Sequence, residues 1–179
     1  WLVQLSCKPD MEAFGKVLTY YPHTFTFGPW QENLNDPVFM TSLKNSFINA
    51  FLTMGITLLL GVPAAYGMGR YKVRGISVFL LTFLVSQMLP ASLTLTPLYL
   101  IFNNVGLLGN HFASPIAIAA SSIPFAIITL RPFFHSVPVT LDEAARLDGC
   151  GYLGFFFRIV LPLSKAVIAV IALWTAVGQ

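Results

Sequence analysis

Charged residues are scarce in this sequence: Asp, Glu, Lys and Arg make up 9% of its 179 residues, against roughly 25% in an ordinary soluble domain. This shortage excludes a compact soluble fold with a fully polar surface. Cysteine is also scarce, and the two that occur, Cys7 and Cys150, lie far apart in the chain. Two distant cysteines form neither a disulfide framework nor a zinc ligand set, so we expect both to be ordinary structural residues.

Motifs that carry chemistry are missing too. The sequence has no Gly-x-x-x-x-Gly-Lys-Ser/Thr loop, so it predicts no P-loop nucleotide site on this chain. It has no arginine-rich stripe or RNA-binding signature, which argues against a nucleic-acid partner. No group of His, Cys, Asp and Glu has the spacing of metal ligands. The sequence therefore predicts no catalytic residue, no metal site and no cofactor on this chain.

Long apolar runs dominate the sequence, and 56% of its residues are hydrophobic. A run of about 20 residues, at 1.5 Å per residue, crosses a hydrocarbon core about 30 Å thick. Pro90 and Pro97 are expected to kink the second run or break it in two. We also expect the chain to open at the end of a preceding span and to stop inside its last one. The predicted spans cover residues 47–68, 76–102, 112–130 and 160–179.

Basic residues orient these spans. The loop 70–74 carries three of them, whereas residues 103–111, between the second and third runs, have no Lys or Arg. By the positive-inside rule, the loop 70–74 and the basic segment 131–159 face the cytoplasm. Residues 1–45 then comprise the end of a preceding span and an extracytoplasmic segment, which its prolines predict to be irregular.

Small residues recur at every fourth position of the first span, at Gly61, Ala65 and Gly69. This spacing gives the helix a smooth stripe against which a neighbouring helix can pack closely. We therefore expect an all-α protein that is a polytopic membrane helix bundle, with residues 46–179 as its transmembrane domain.

A short helix is predicted inside the cytoplasmic segment, over residues 141–148. Thr140 is placed to cap its N-terminus and Glu143, three positions on, to close a capping box. Gly149 suits the C′ position that follows a helix. These signals predict a well-capped helix of about two turns.

The same helix has the composition of a docking element. Ala144 and Ala145 remove bulk from its middle, so that another protein's cleft could close around it. Glu143 and Asp148 are then free to meet cationic groups of that partner. Residues 152–159, which follow, resemble an interfacial helix with its aromatic rings at the level of the lipid headgroups.

Around this helix the chain resembles the inner-membrane permeases of binding-protein-dependent ABC importers, of the carbohydrate-uptake, maltose type. The cytoplasmic signature of that family runs Glu-Ala-Ala, then Asp-Gly, then Ile-x-Leu-Pro. Residues 5–10 are similar to the stretch that follows the first span in these permeases. The pair Asn45-Ser46 is similar to the entry of their next span. The chain departs from the pattern at Ala166, where many relatives have a proline, and this departure concerns local helix geometry. The signature residues are Glu143-Ala144-Ala145, Asp148-Gly149 and Ile159-Val160-Leu161-Pro162.

The resemblance implies a type I importer permease subunit that is not itself an enzyme, in a bacterial or archaeal inner membrane. Its partners would be cytoplasmic ABC ATPase subunits that bind ATP and Mg²⁺, a second permease subunit, an extracytoplasmic solute-binding protein and membrane lipid. The helix 141–148 would be the coupling helix that docks in a groove of the ATPase. The implied docking residues are Leu141, Glu143, Ala144, Ala145, Asp148 and Gly149.

Polar and aromatic side chains in the second span are candidates for the cargo path. Because the spans lack charge near their centres, a neutral cargo such as a sugar is favoured over an ion-coupled secondary transporter. Importers of amino acids and peptides share the signature and stay open as alternatives. An intramembrane enzyme using His135, Glu143 and Asp148 is disfavoured, since these residues fit no metal-ligand spacing. The path candidates are Ser86, Gln87, Thr94, Thr96 and Tyr99.

Overall fold

The computed structural model describes residues 5–8, 25–71 and 74–178, apart from the side chain of Ala91. Predictions that concern Lys72, the end of the preceding span at residues 1–4, and residues 9–24 of the expected extracytoplasmic segment lie outside the described residues. Residues 1–48 form one compact unit and residues 49–179 another.

The described residues are mostly helical and include no strand, which confirms the all-α class. In chain order the helices are α1 Gly28–Asn35, α2 Pro37–Arg70, α3 Ile76–Met88, α4 Ala91–Val105, α5 Ala113–Ser136, α6 Val139–Leu147, α7 Tyr152–Phe155, α8 Leu161–Leu163 and α9 Lys165–Val177. A π-helical turn, Phe156–Val160, joins α7 to α8.

Two prolines in the N-terminal unit begin helices, so the prediction that this segment is irregular is wrong for its described part. Pro29 lies in the first turn of α1 and Pro37 is the first residue of α2. Proline suits these positions because its φ is already helical and its missing N–H has no partner in a first turn. The carboxylate of Asp36 accepts a hydrogen bond from the backbone N–H of Val38 at 2.9 Å and caps α2.

Two of the helices, α2 and α5, are single elements long and apolar enough to cross a membrane. The second predicted run is divided at Leu89–Pro90, and α3 and α4 are bent by 105° across this break. Pro97 remains inside α4. The fourth run bends by 75° before α9, at Ser164, whose hydroxyl donates to the carbonyl oxygen of Val160 at 2.6 Å. Such back-bonding by serine often bends helices.

The small-residue stripe of α2 packs against α5, as predicted. A Cβ added at Gly61 would lie 3.3 Å from the Cβ of Ala126, and one at Gly69 would lie 2.9 Å from the carbonyl oxygen of Arg131. The stripe also extends further along α2 than expected. Its buried positions are Thr53, Thr57, Gly61, Ala65 and Gly69.

The apolar core lies where α2, α5 and the segment after α5 meet. Residues of α2, α5 and α6 belong to this one buried cluster, so α6 lies on the ends of the two long helices. The cluster comprises Val62, Ala65, Ala126, Ile127, Leu130, Phe134, Ala145, Phe155, Phe156, Val160 and Ile171.

Candidate docking helix and its supports

Helix α6 begins one residue earlier than its predicted cap. Pro138 is the N-cap residue, with φ −58° and ψ 138°, and none of the described side chains caps the helix. The predicted capping box is therefore wrong: Thr140 already lies in the first turn, beyond the position from which a cap hydroxyl reaches the N–H groups. This start was not predicted from the sequence. Proline fixes φ at about −65°, and this value is compatible with the conformation of Pro138 at the N-cap.

The C-terminal end of α6 has the predicted glycine at C′. Gly149 adopts a φ of 77°, a left-handed conformation that glycine reaches without strain. Its N–H donates to the carbonyl of Arg146 at 3.0 Å, and the N–H of Cys150 donates to that of Ala145 at 2.8 Å. These two bonds form a Schellman motif, which satisfies carbonyls that would otherwise lack partners.

One face of α6 is held against the chain's own core. Ala145 is only 5% exposed and belongs to the buried cluster with Leu130 and Phe134. It supports the helix from within, so the expectation that it faces a partner is wrong.

The opposite face of α6 is exposed. Thr140, Glu143, Ala144 and Leu147 are exposed and follow the i, i+3, i+4, i+7 spacing of a single helix face. Leu147 is 90% exposed and was not among the predicted docking residues, although this spacing includes it. A small residue, a carboxylate and an apolar side chain on one face are suited to a protein partner.

The other proposed docking residues flank this face. Leu141 is 39% exposed, and Asp148 and Gly149 are exposed at the end of the helix. Within the described residues, the carboxylates of Glu143 and Asp148 take part in no ion pair. Both are therefore available to cationic groups.

Asp142 connects α6 to the end of α2. Its Oδ2 lies 3.5 Å from Nη2 of Arg70, and the two side chains are 17% and 10% exposed. The same carboxylate accepts from Arg146, one turn on, at 3.2 and 3.4 Å. This hydrogen bond raises the pKa of the Arg146 guanidinium above its ordinary value. The guanidinium also lies 4.5 Å from the ring centre of Tyr152.

Helix α5 supplies partners for the last carbonyls of α2. Nε of Arg131 donates to the carbonyl of Met68 at 3.3 Å, and Nδ1 of His135 lies 3.2 Å from the carbonyl oxygen of Gly69. The final carbonyls of a helix lack partners within it, and cationic groups are favourable there. These contacts fix the end of α2 on α5.

An open cleft of about 710 Å³ lies among the ends of α2, α5 and α6. It brings together basic residues from both sequence segments that were predicted to share one side of the membrane. The arginines that line it are Arg70, Arg74, Arg131 and Arg146.

Two of the aromatic residues after α6 do not lie at the surface, where the expected interfacial helix would place them. Phe155 and Phe156 are buried in the core, where the ring of Phe156 lies 4.8 Å from that of Tyr66. Tyr66 also packs edge-on against Phe134 at 5.7 Å. Apolar burial outweighs headgroup contact for these two phenylalanines, whereas Phe157 is 60% exposed.

The cargo-path candidates lie on both sides of the break between α3 and α4, and all five are exposed. The amide of Gln87 donates to the carbonyl of Ser121 in α5 at 2.9 Å, which connects the broken span to α5. Among the described residues, no three His, Cys, Asp or Glu side chains come together as metal ligands do. The residues of the alternative enzyme site, His135, Glu143 and Asp148, thus form no such cluster.

Comparison with known protein families shows which family the chain belongs to. Residues 58–178 match the family described as the binding-protein-dependent transport system inner membrane component. The chain belongs to this family. Its members are transporter components of the inner membrane, so the predicted multi-pass permease is confirmed at that level.

Several relatives are named as permease proteins of ABC or sugar-related transport systems. The chain is 37% identical over 180 residues to a probable ABC transporter permease protein, YurM, of Bacillus subtilis, covering 98% of this chain and 58% of the relative. It is 31% identical to the sulfoquinovosyl glycerol permease protein SmoH of Agrobacterium fabrum (91% and 57%). It is 30% identical to the maltodextrin permease protein MdxG of Bacillus subtilis (84% and 54%). The chain thus spans less than three fifths of these relatives' length.

A solved structure has the same fold. A bacterial ABC transporter involved in the import of the acidic polysaccharide alginate superposes with a TM-score of 0.81 at 27% sequence identity. The match covers 98% of this chain and 61% of that one. The predicted fold of an ABC importer permease is therefore confirmed.

Proposed function

We propose that this chain is part of a permease subunit that forms a translocation path for a sugar or related solute, driven by a separate cytoplasmic ATPase. The observation that carries the proposal is the exposed face of α6, which presents Glu143, Ala144 and Leu147 to solvent while Ala145 is packed in the core. A helix held on one side and exposed on the other suits transmission of a partner's movement.

The partners follow from the family. Two ATPase subunits bind ATP and Mg²⁺ and supply the energy, a second permease subunit completes the path, and an extracytoplasmic binding protein delivers cargo. Glu143 and Asp148, whose carboxylates take part in no ion pair within the described residues, meet cationic groups in the ATPase groove. ATP hydrolysis takes place on the partner and not on this chain.

The cargo assignment is supported by the relatives, whose names include maltodextrin, sulfoquinovosyl glycerol and alginate. Uncharged hydroxyl and phenol groups near the break between α3 and α4 suit a polyol. Gln87 is the weakest path candidate, since its amide is already bonded to α5. Ser86, Thr94, Thr96 and Tyr99 remain the proposed lining.

Uptake into proteoliposomes tests this function. The full-length subunit, co-expressed with its neighbouring permease and ATPase genes, is supplied with its binding protein and labelled maltotriose, galactotriose, an alginate trisaccharide, glycine or a dipeptide. We expect ATP-dependent uptake of at least one saccharide. Uptake of only glycine or the dipeptide supports the non-sugar alternative, and uptake driven by an ion gradient without ATP contradicts the importer assignment.

A further inference from the structure

Arg70 lies at the junction of three helices. It is the last residue of α2, its Nη1 donates to the carbonyl of Val137 at the end of α5 at 2.9 Å, and its Nη2 lies 3.5 Å from Oδ2 of Asp142 in α6. The side chain is 10% exposed. One guanidinium therefore touches the ends of both long helices and the docking helix.

The contact with Asp142 is long and shared. Nη2 of Arg70 is buried and within ion-pair distance of the carboxylate, yet it makes no hydrogen bond to any described residue. Arg146 engages the same carboxylate at 3.2 Å from the exposed side of α6. Asp142 is thus held by one arginine inside the protein and by another at the surface.

Packing of α6 on the core involves little apolar area. Among the described residues, Ala145 is the only α6 residue in the apolar core, and its single methyl group offers little area and no directional contact. A partly buried charge pair is little screened by salt. Among the described residues, the Arg70–Asp142 pair is the ion pair that links α6 to α2, so it is suited to make α2 follow a displacement of α6.

We propose that Arg70 is a positioning residue that transmits movement of α6 to α2 through Asp142, while Val137 holds the same guanidinium on α5. The proposal rests on the proposed function, in which α6 docks on an ATPase. It predicts that breaking the contact separates ATP hydrolysis from transport and leaves docking in place, because the exposed face of α6 is unchanged.

The test uses the complete transporter in proteoliposomes, with the saccharide that the parent transports in the panel above. Four variants are compared with the parent: Arg70→Met, Arg70→Lys, Asp142→Asn and the double variant Arg70→Met/Asp142→Asn. Arg74→Met is the matched control, since Arg74 is exposed and forms no ion pair or hydrogen bond within the described residues. Co-purified ATPase, ATPase rate and saccharide imported per ATP are measured for each.

We expect Arg70→Met and Asp142→Asn to lower saccharide imported per ATP about fivefold or more, the lower end of typical coupling between sites. Co-purified ATPase should stay within about twofold of the parent, as should every readout of Arg74→Met, which changes only a surface charge. The double variant should be no worse than either single one, because both remove the same contact. Arg70→Lys, which keeps the charge, should lie between parent and Arg70→Met.

An unchanged ratio in Arg70→Met, or losses that multiply in the double variant, overturns the proposal. If the Arg70→Met complex fails to assemble, Arg70→Lys and Asp142→Asn provide the test instead. Parental values of saccharide imported per ATP in both variants also overturn the proposal. A parent complex that binds no ATPase, by contrast, refutes the proposed function and not this coupling contact.

Discussion

Substitution of Gly69 by alanine tests the close approach of α2 to α5. The added Cβ would lie 2.9 Å from the carbonyl oxygen of Arg131, 3.1 Å from the Cβ of Phe134 and 3.4 Å from the backbone nitrogen of His135. Two of these three atoms belong to the backbone of α5, so no side chain can rotate away. The helices must separate by several tenths of an ångström, which also lengthens the contacts that hold the end of α2.

The expected cost follows from two opposing terms. Overpacking of this kind typically costs about 1–3 kcal/mol, whereas replacing glycine by alanine inside a helix gains about 1 kcal/mol. Gly67 provides the matched control, because a Cβ there meets no atom of the described residues within 4 Å. Gly67→Ala should therefore show the helix gain alone, and the difference between the two variants, about 1–3 kcal/mol, measures the packing term.

Thermal unfolding of the full-length permease in detergent measures this difference. One kcal/mol corresponds to roughly 2–4 °C for a chain of 150–250 residues and to less for a longer one, so Gly69→Ala should melt measurably below Gly67→Ala. Equal midpoints for the two variants would refute the close packing of α2 on α5 at this position.

Two further predictions concern the turn after α6. Gly149→Ala should destabilise the permease by about 1–2 kcal/mol, because a φ of 77° is strained for alanine. Gly149→Asn should cost less, since asparagine tolerates this conformation. Equal melting midpoints for the two variants would contradict this account. Gly154→Ala should stabilise the permease less in the parent than in a Cys150→Ala background, because its Cβ would lie 2.9 Å from Sγ of Cys150 and the thiol must rotate away, whereas the helix gain of about 1 kcal/mol applies in both. An equal shift of the melting midpoint in the two backgrounds would show that the sulfur is not an obstacle.

Local and periodic features were predictable from the sequence. The stripe at Gly61, Ala65 and Gly69 is periodic, and the C′ glycine of α6 follows from residues next to it. The break at Pro90 was expected for the same reason, because proline acts on the backbone of its own neighbourhood.

Long-range polar contacts were not predictable. Arg70 and Arg131 looked like residues that only set topology, yet each pairs with an atom more than 60 positions away in sequence. The burial of Ala145 and Phe155 depends equally on which helices meet. The N-cap of α6 was misassigned for a local reason, since both Pro138 and Thr140 are acceptable helix-start signals and only the backbone conformation chooses between them.

The central claim is that the exposed face of α6 docks the ATPase and couples it to transport. Glu143→Ala in the full-length, co-expressed complex tests it most directly, with Glu32→Ala as the control that removes an exposed acid from α1. We predict that Glu143→Ala weakens ATPase binding about tenfold, a loss of about 1.4 kcal/mol, and reduces ATP-dependent saccharide uptake, while membrane insertion and the control are unaffected. Parental ATPase binding and uptake in Glu143→Ala would contradict the account.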